Sequence, residues 1–190
     1  MSSHALKHGH YTYRDYCAWP DDERWELIDG QAYNMSPAPT RRHQDVVVEL
    51  SRQIANFLRD HPCRVYTAPF DVRLPRASEA DNEVDTVVQP DISVICDSRK
   101  LDDAGCRGTP DWIIEVLSPG TAVKDQIRKR ELYQRHGVRE YWLVHPVDRV
   151  LTIYQLEGTE YGKPEIRATE GITSTGVIGE LEIDWAFMAE

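Results

Sequence analysis

A short apolar run with a single acid inside it sets the terms for this chain. Thr109-Pro110-Asp111-Trp112-Ile113-Ile114-Glu115-Val116-Leu117-Ser118-Pro119 is rich in Ile, Val and Trp and is stopped by Ser-Pro. That pattern predicts a buried strand. Side chains alternate across a strand, so Glu115 shares a face with Ile113 and Leu117, while Ile114 and Val116 point the other way. A carboxylate among apolar neighbours is costly unless a hydrogen bond, a cation or a metal compensates it. Glu115 is therefore either a sheet-end glutamate held by a nearby Arg or Lys, or a metal ligand or catalytic acid.

A second run has the same character. Val87-Val88-Gln89-Pro90-Asp91-Ile92-Ser93-Val94-Ile95-Cys96 is β-branched, with an acid near its start. Pro90 cannot donate to a ladder, which predicts that the strand begins there or lies at an edge and puts Asp91 at a strand end. Two such strands, paired side by side, would bring Asp91 and Glu115 together. Two close carboxylates resist ionising together unless a cation lies between them. Hard divalent cations are held by one or two carboxylates plus water and phosphate, so the pair points toward a metal site.

Length and charge narrow the setting. At 190 residues, one domain is expected: residues 1–11 as a flexible tail and 12–190 as the folded unit. No apolar stretch approaches membrane-spanning length, and the first residues lack the apolar middle of a signal peptide, so a cytoplasmic location is the expectation. The 4 cysteines stand singly, with no Cys-x-x-Cys pair, and read as reduced core thiols. The formal net charge of −10 argues against strong phosphate-driven binding of nucleic acid. Basic residues do concentrate between Lys124 and Arg139.

Taken in order, Thr12 to Trp19 predicts a short helix with Thr12 and Asp15 as its capping pair. Asp29-Gly30 is a tight-turn signal between the strands Trp25–Ile28 and Gln31–Met35. Glu26 shares a face with Ile28, and alternation alone favours an exposed hairpin glutamate. A helix follows over Thr40–Arg59, with an apolar stripe of Val47, Leu50, Ile54, Phe57 and Leu58; His43 lies one turn before Val47. Cys63–Leu74 reads as extended, Pro75–Thr86 as the most flexible loop, and Asp97–Gly108 as a polar loop. The last helix spans Ala122–His136 and closes at Gly137. Ala122, Asp125, Lys129, Tyr133 and His136 fall in one arc of it. Lys129 either looks inward toward the acids or snorkels to solvent, the commoner outcome for a lysine. Glu140–His145 and Arg149–Gln155 form a hairpin, and short strands complete an α/β or α+β domain with a central mixed sheet.

Glu26-Leu-Ile-Asp-Gly30, His43, Gln-Pro-Asp91, Glu115-Val-Leu-Ser-Pro119, Lys129, Tyr133 and Tyr141-Trp-Leu-Val-His-Pro146 occur in that order. In this the chain resembles the Uma-two family of restriction-endonuclease-like bacterial proteins, members of the PD-(D/E)XK nuclease superfamily, from about Thr12 to Trp185. The resemblance implies a restriction-endonuclease-like core flanked by helices, with added β-hairpins. It implies that Asp91 and Glu115 hold Mg²⁺ or Mn²⁺ and that Glu26 is a further site carboxylate. The superfamily lysine two residues after the second acid is replaced by Leu117, and Lys129 matches the relocated lysine. His43, Asp125 and Tyr133 match supporting positions. DNA would be the substrate, and a homodimer joined through the hairpin after Tyr141 fits the way many such nucleases cut two strands.

Two other readings compete with a metal-dependent deoxyribonuclease. One is a non-catalytic relative that keeps the fold as a binding or assembly module. The other, a metal-independent enzyme built on His43 or a cysteine, lacks a nucleophile–base arrangement.

Overall fold

The computed structural model describes residues 9–20, 23–35, 38–118 and 125–189. A strand network of two sheets supports the site. The larger sheet contains β3 (Arg64–Thr67), β6 (Ile92–Ile95), β9 (Trp112–Val116), β10 (Glu140–His145), β11 (Val150–Glu157), β12 (Glu160–Tyr161) and β13 (Glu165–Ala168). Its order is β12-β11-β10-β9-β6-β3, with β13 also paired to β11. β9 and β10 are parallel and the rest antiparallel, so the sheet is mixed. The smaller sheet contains β1 (Trp25–Ile28), β2 (Gln31–Asn34), β4 (Val72–Arg73), β5 (Val87–Val88), β7 (Leu101–Asp102) and β8 (Gly105–Arg107). Its order is β2-β1-β5-β4-β8-β7. A separate ribbon joins β14 (Ile172–Ser174) to β15 (Glu182–Asp184).

Two apolar cores explain the layering. Trp112, Ile114 and Val116 of β9 pack with Trp142 and Val144 of β10 beneath α2 (Arg41–Phe57). Ile113 and Leu117 turn the other way, into a core shared with Val72, Val88 and Cys106 of the smaller sheet and with Leu132 and Tyr133 of α3 (Arg130–His136). The alternation read from the sequence of this strand is therefore the one that forms. Glu115 falls on the second face, between the sheets and α3, and all of β9 is buried.

Local signals account for many boundaries. Thr12 and Asp15 make the expected capping box on α1 (Tyr13–Tyr16). Asp29 and Gly30 both take positive φ, 51° and 73°, in the turn between β1 and β2. The side chain of Thr40 caps α2 by accepting from the His43 amide at 3.3 Å, which satisfies one of the helix's orphan donors. α3 ends on Gly137 in the left-handed region and is preceded by a wider π turn over Asp125–Lys129.

Several expectations are corrected. The run Val87–Cys96 is two strands: β5 belongs to the smaller sheet and β6 to the larger. Gln89-Pro90-Asp91 carries the chain between them, as the missing Pro90 donor permits. Asp97–Gly108 is no plain loop, because it holds the β7–β8 hairpin. Pro75–Thr86 is anchored: Asp81 pairs with Arg73 at 2.7 Å and with Arg107 at 3.1 Å, and Val84, Asp85 and Thr86 are buried. Phe57 lies at the end of α2 with 36% of its surface exposed, and the stripe instead includes Val46.

The cysteines are not all reduced. Cys63 and Cys96 form a disulfide, because they flank the paired residues Arg64 and Ile95 on antiparallel β3 and β6. Cys17 is an exposed free thiol and Cys106 a buried one. Nor is the hairpin after Tyr141 available for strand addition. β10 lies inside the sheet, and the outer edge of β11 is taken by β12 and β13. At the N-terminus, Tyr11 donates its amide to Gly30 at 2.9 Å and His10 lies 3.2 Å from Asp85. No helix among the described residues is long and apolar enough to cross a membrane.

Candidate active site

β1, β9 and α3 meet where the two sheets face each other, and the chain brings three ionisable side chains together at that junction. Nζ of Lys129 lies 2.9 Å from Oε1 of Glu26 and 2.8 Å from Oε1 of Glu115. All three side chains are at least 95% buried. The wide turn Asp125–Lys129 brings Lys129 inward, the kind of local departure from α geometry that often accompanies functional sites. Snorkelling, the ordinary outcome for a lysine, is overridden by two carboxylates in the interior. Glu26 is likewise no exposed hairpin residue, since β1 is covered on both sides.

The hydroxyl of Tyr133 donates to Glu115 Oε1 at 2.8 Å. Burial, then the adjacent Glu115 charge, raises the Tyr133 phenol well above its ordinary pKa, so it remains a donor. On the other acid, Glu26 Oε1 accepts the backbone N–H of Gln89 at 3.0 Å.

Two residues later comes Asp91, immediately before β6. The last paired residues of β6 and β9 on this side are Ile92 and Ile114, so Asp91 and Glu115 occupy the next step outward on neighbouring strands. The juxtaposition expected from the two acid-bearing strands is therefore present in the backbone. The Asp91 carboxylate is held from the opposite direction: Oδ2 accepts the Val116 amide at 2.8 Å and lies 3.1 Å from His43 Nε2. His43 points inward from the first turn of α2, as its position before Val47 suggested, and is 7% exposed.

The structure thus forms two linked groups, Glu26–Lys129–Glu115–Tyr133 and His43–Asp91, joined through β9 and through Gln89-Pro90-Asp91. The Asp125 side chain lies outside the described residues.

Asp91 and His43 face a cleft of about 300 Å³ that also touches Arg24, Val47, Val48 and Ala68. Sequence reasoning passed over Arg24 and Gln89. Arg24 donates from Nη2 to Gln89 Oε1 at 2.8 Å, and Gln89 Nε2 in turn donates to Asp71 Oδ1 at 2.8 Å and to the Tyr16 hydroxyl at 3.1 Å. Gln89 therefore ties α1, the first hairpin and the segment before β4 to Glu26. Its place in Gln-Pro-Asp was the available signal; the partners, scattered along the chain, gave none.

Comparison with known proteins agrees with this architecture. A solved structure described as a putative nuclease belonging to DUF820, from Anabaena variabilis, superposes with a TM-score of 0.73 at 19% sequence identity, over 93% of this chain and 96% of that one. That likeness establishes the shared fold. An "Uncharacterized protein slr1290" of Synechocystis sp. is 27% identical over 143 residues, 74% of this chain and 71% of that protein. The Uma2 family, described as "Putative restriction endonuclease", matches residues 12–186. The chain has the mixed α+β fold of that solved structure, and it belongs to the Uma2 family.

Proposed function

We propose that this protein is a divalent-metal-dependent endonuclease that hydrolyses DNA phosphodiester bonds. The observation that carries the reading is the buried lysine between two carboxylates, set beside a third carboxylate at a cleft. An ion pair of this kind is weak as a source of stability, because desolvation offsets most of its attraction. Its presence therefore favours a chemical role.

The donors suit a hard cation. Asp91 and Glu115 offer carboxylate oxygens from neighbouring strands, the ligand type that Mg²⁺ takes while keeping waters and substrate phosphate. Among the described residues no group of three or more His, Cys, Asp or Glu side chains could enclose an ion alone. Substrate oxygens and water would complete such a shell. When bound, Mg²⁺ or Mn²⁺ supplies Lewis acidity toward a phosphate oxygen and acidifies water.

The chain's own residues do the positioning. His43 and the Val116 amide fix the Asp91 carboxylate from two sides. Tyr133 and Lys129 fix Glu115, and the Gln89 amide fixes Glu26. Lys129 places positive charge where negative charge grows on the phosphorus oxygens during attack by water, the preorganised electrostatic help that usually dominates such steps. Glu26 holds that ammonium in place.

Thermal unfolding with and without Mg²⁺ or Mn²⁺, on the native protein and on Asp91→Ala, tests the site. A ligand that binds the native state alone raises stability with concentration. The expected result is a shift lost in Asp91→Ala, together with DNA cleavage lost in Lys129→Ala. Absence of any shift and of cleavage, with DNA present, would overturn the enzyme.

A second reading, a non-catalytic module, draws on the net charge of −10 and on the displacement of the lysine to Lys129, where it pairs with two buried acids. It predicts stabilisation by DNA without cleavage.

A further inference from the structure

Lys129 is buried between Glu26 and Glu115 and does not line the cleft, so beyond its charge at the reacting phosphate, gripping a phosphodiester in the cleft needs a second cation. Of the described residues lining the cleft, Arg24 is the one arginine or lysine. It sits two residues before Glu26 and is exposed. Among the described residues its partner is the neutral amide oxygen of Gln89, at 2.8 Å, rather than a carboxylate. A guanidinium has five N–H donors in a rigid fork that matches phosphate geometry. One hydrogen bond to Gln89 orients the fork without neutralising it.

Gln89 is itself well fixed. Its side chain donates to Asp71 and Tyr16, its backbone donates to Glu26, and it is 9% exposed. The residue that aims Arg24 is thus the one that seats a site carboxylate. α2 lines the cleft with Val47 and Val48 beside the polar His43, Gln44 and Ser51; Val48 is 63% exposed. A volume near 300 Å³ stands at the low end of small-ligand sites. A guanidinium, two valines and hydrogen-bonding side chains in one cleft fit a single nucleotide unit, with its phosphate on Arg24 and its sugar among Val47, Val48 and Ser51.

We propose that Arg24, aimed by Gln89, is the substrate-phosphate arm of this site and grips a phosphodiester of the nucleic-acid strand beside Asp91. The assignment rests on the nuclease reading for its place in catalysis, and on binding alone for its test. An acidic chain that holds few phosphates depends strongly on each one. Removing the cation that neutralises one phosphate flattens the salt dependence of binding by about 0.7 to 0.9 in log–log slope.

The experiment is fluorescence anisotropy of a labelled single-stranded oligodeoxynucleotide with the intact protein, titrated across about 50 to 200 mM salt. Ca²⁺ serves as the oxygen-liganded ion, and cleavage is followed separately in Mg²⁺. Arg24→Ala should weaken binding roughly tenfold or more, as removal of a charged hydrogen-bonding partner does, and should flatten the slope by about 0.7, the value for one phosphate of a single strand. Arg24→Lys should restore the slope, because charge sets it, while recovering only part of the affinity. A merely structural Arg24 would leave the slope unchanged. Equal slopes in native protein and Arg24→Ala overturn the assignment even if the native protein cleaves. Native binding with the expected slopes but no cleavage supports the arm and overturns only the nuclease reading. No native binding at all overturns both.

Discussion

The backbone N–H of Gln89 points at Oε1 of Glu26, 3.0 Å away, between segments that are far apart in the sequence. Through that hydrogen bond the segment delivering Asp91 to the larger sheet also seats an acid of the smaller one. The same Oε1 lies 2.9 Å from Lys129, so β1, the crossing segment and the turn leading into α3 converge on one oxygen. The site is assembled at the seam of the two sheets, and its integrity depends on that seam.

Lys129→Met should expose this dependence. Removing one member of a buried ion pair leaves the others uncompensated and typically costs about 3–5 kcal/mol. Urea unfolding should show that loss as a lowered midpoint with an unchanged slope. A change below about 1 kcal/mol would mean that Glu26 and Glu115 do not rely on this lysine.

Asp91→Asn keeps the size of the side chain and one carbonyl oxygen for the Val116 amide. Stability should change by about 1 kcal/mol or less, whereas the stabilisation by Mg²⁺ or Mn²⁺ should vanish. Differential scanning fluorimetry across a metal titration separates the two effects. A retained metal shift would remove Asp91 from the ligand set.

The thiols give a chemical count. Burial pushes the Cys106 thiol up to about 12, so little thiolate exists there at neutral pH. Alkylation of native protein should label Cys17 alone, denaturant should add Cys106, and reduction should release Cys63 and Cys96. Replacing Cys63 and Cys96 by serine should cost about 3–4 kcal/mol from the loop their 33-residue separation closes. Three or more thiols in the denatured, unreduced chain would exclude the bridge.

His136 should contribute an acid-sensitive component. Burial, reinforced by the charges of Arg135 and Arg76, lowers it to about 4, below the ordinary histidine value near 6.5. Above about pH 6.5 the ring is neutral in both states and costs nothing. As pH falls toward 4 the unfolded chain takes the proton first, so folding stability declines through that window and levels off below it. With solvent screening allowed for, the loss should be on the order of 1–2 kcal/mol. His136→Gln should flatten the pH dependence of the unfolding midpoint between about pH 7 and 4. An unchanged profile would assign that acid sensitivity to other groups.

Much of the framework was legible locally. Alternation placed Glu115 opposite Ile114 and Val116 on β9, Asp29-Gly30 marked a turn, and Thr12 with Asp15 marked a helix start. These features depend on neighbours within a few residues, through repeats of two or about 3.6 and through turn stereochemistry. Residue order also carried the family resemblance, and the residues it named, Glu26, Glu115 and Lys129, meet at one junction with Asp91 on the neighbouring strand.

Tertiary structure decided what local pattern left open. Lys129 turns inward because Glu115, 14 residues earlier, and Glu26 on another sheet meet there. Asp91 faces His43 across 48 residues, and Cys63 finds Cys96 across 33. Pro90 marked a strand start, but only packing assigned the halves on either side of it, β5 and β6, to different sheets. A buried charge is stabilised by whichever groups the packing brings within about 3 Å. Periodicity gives the face on which a charge lies, and only the closed core supplies its partner.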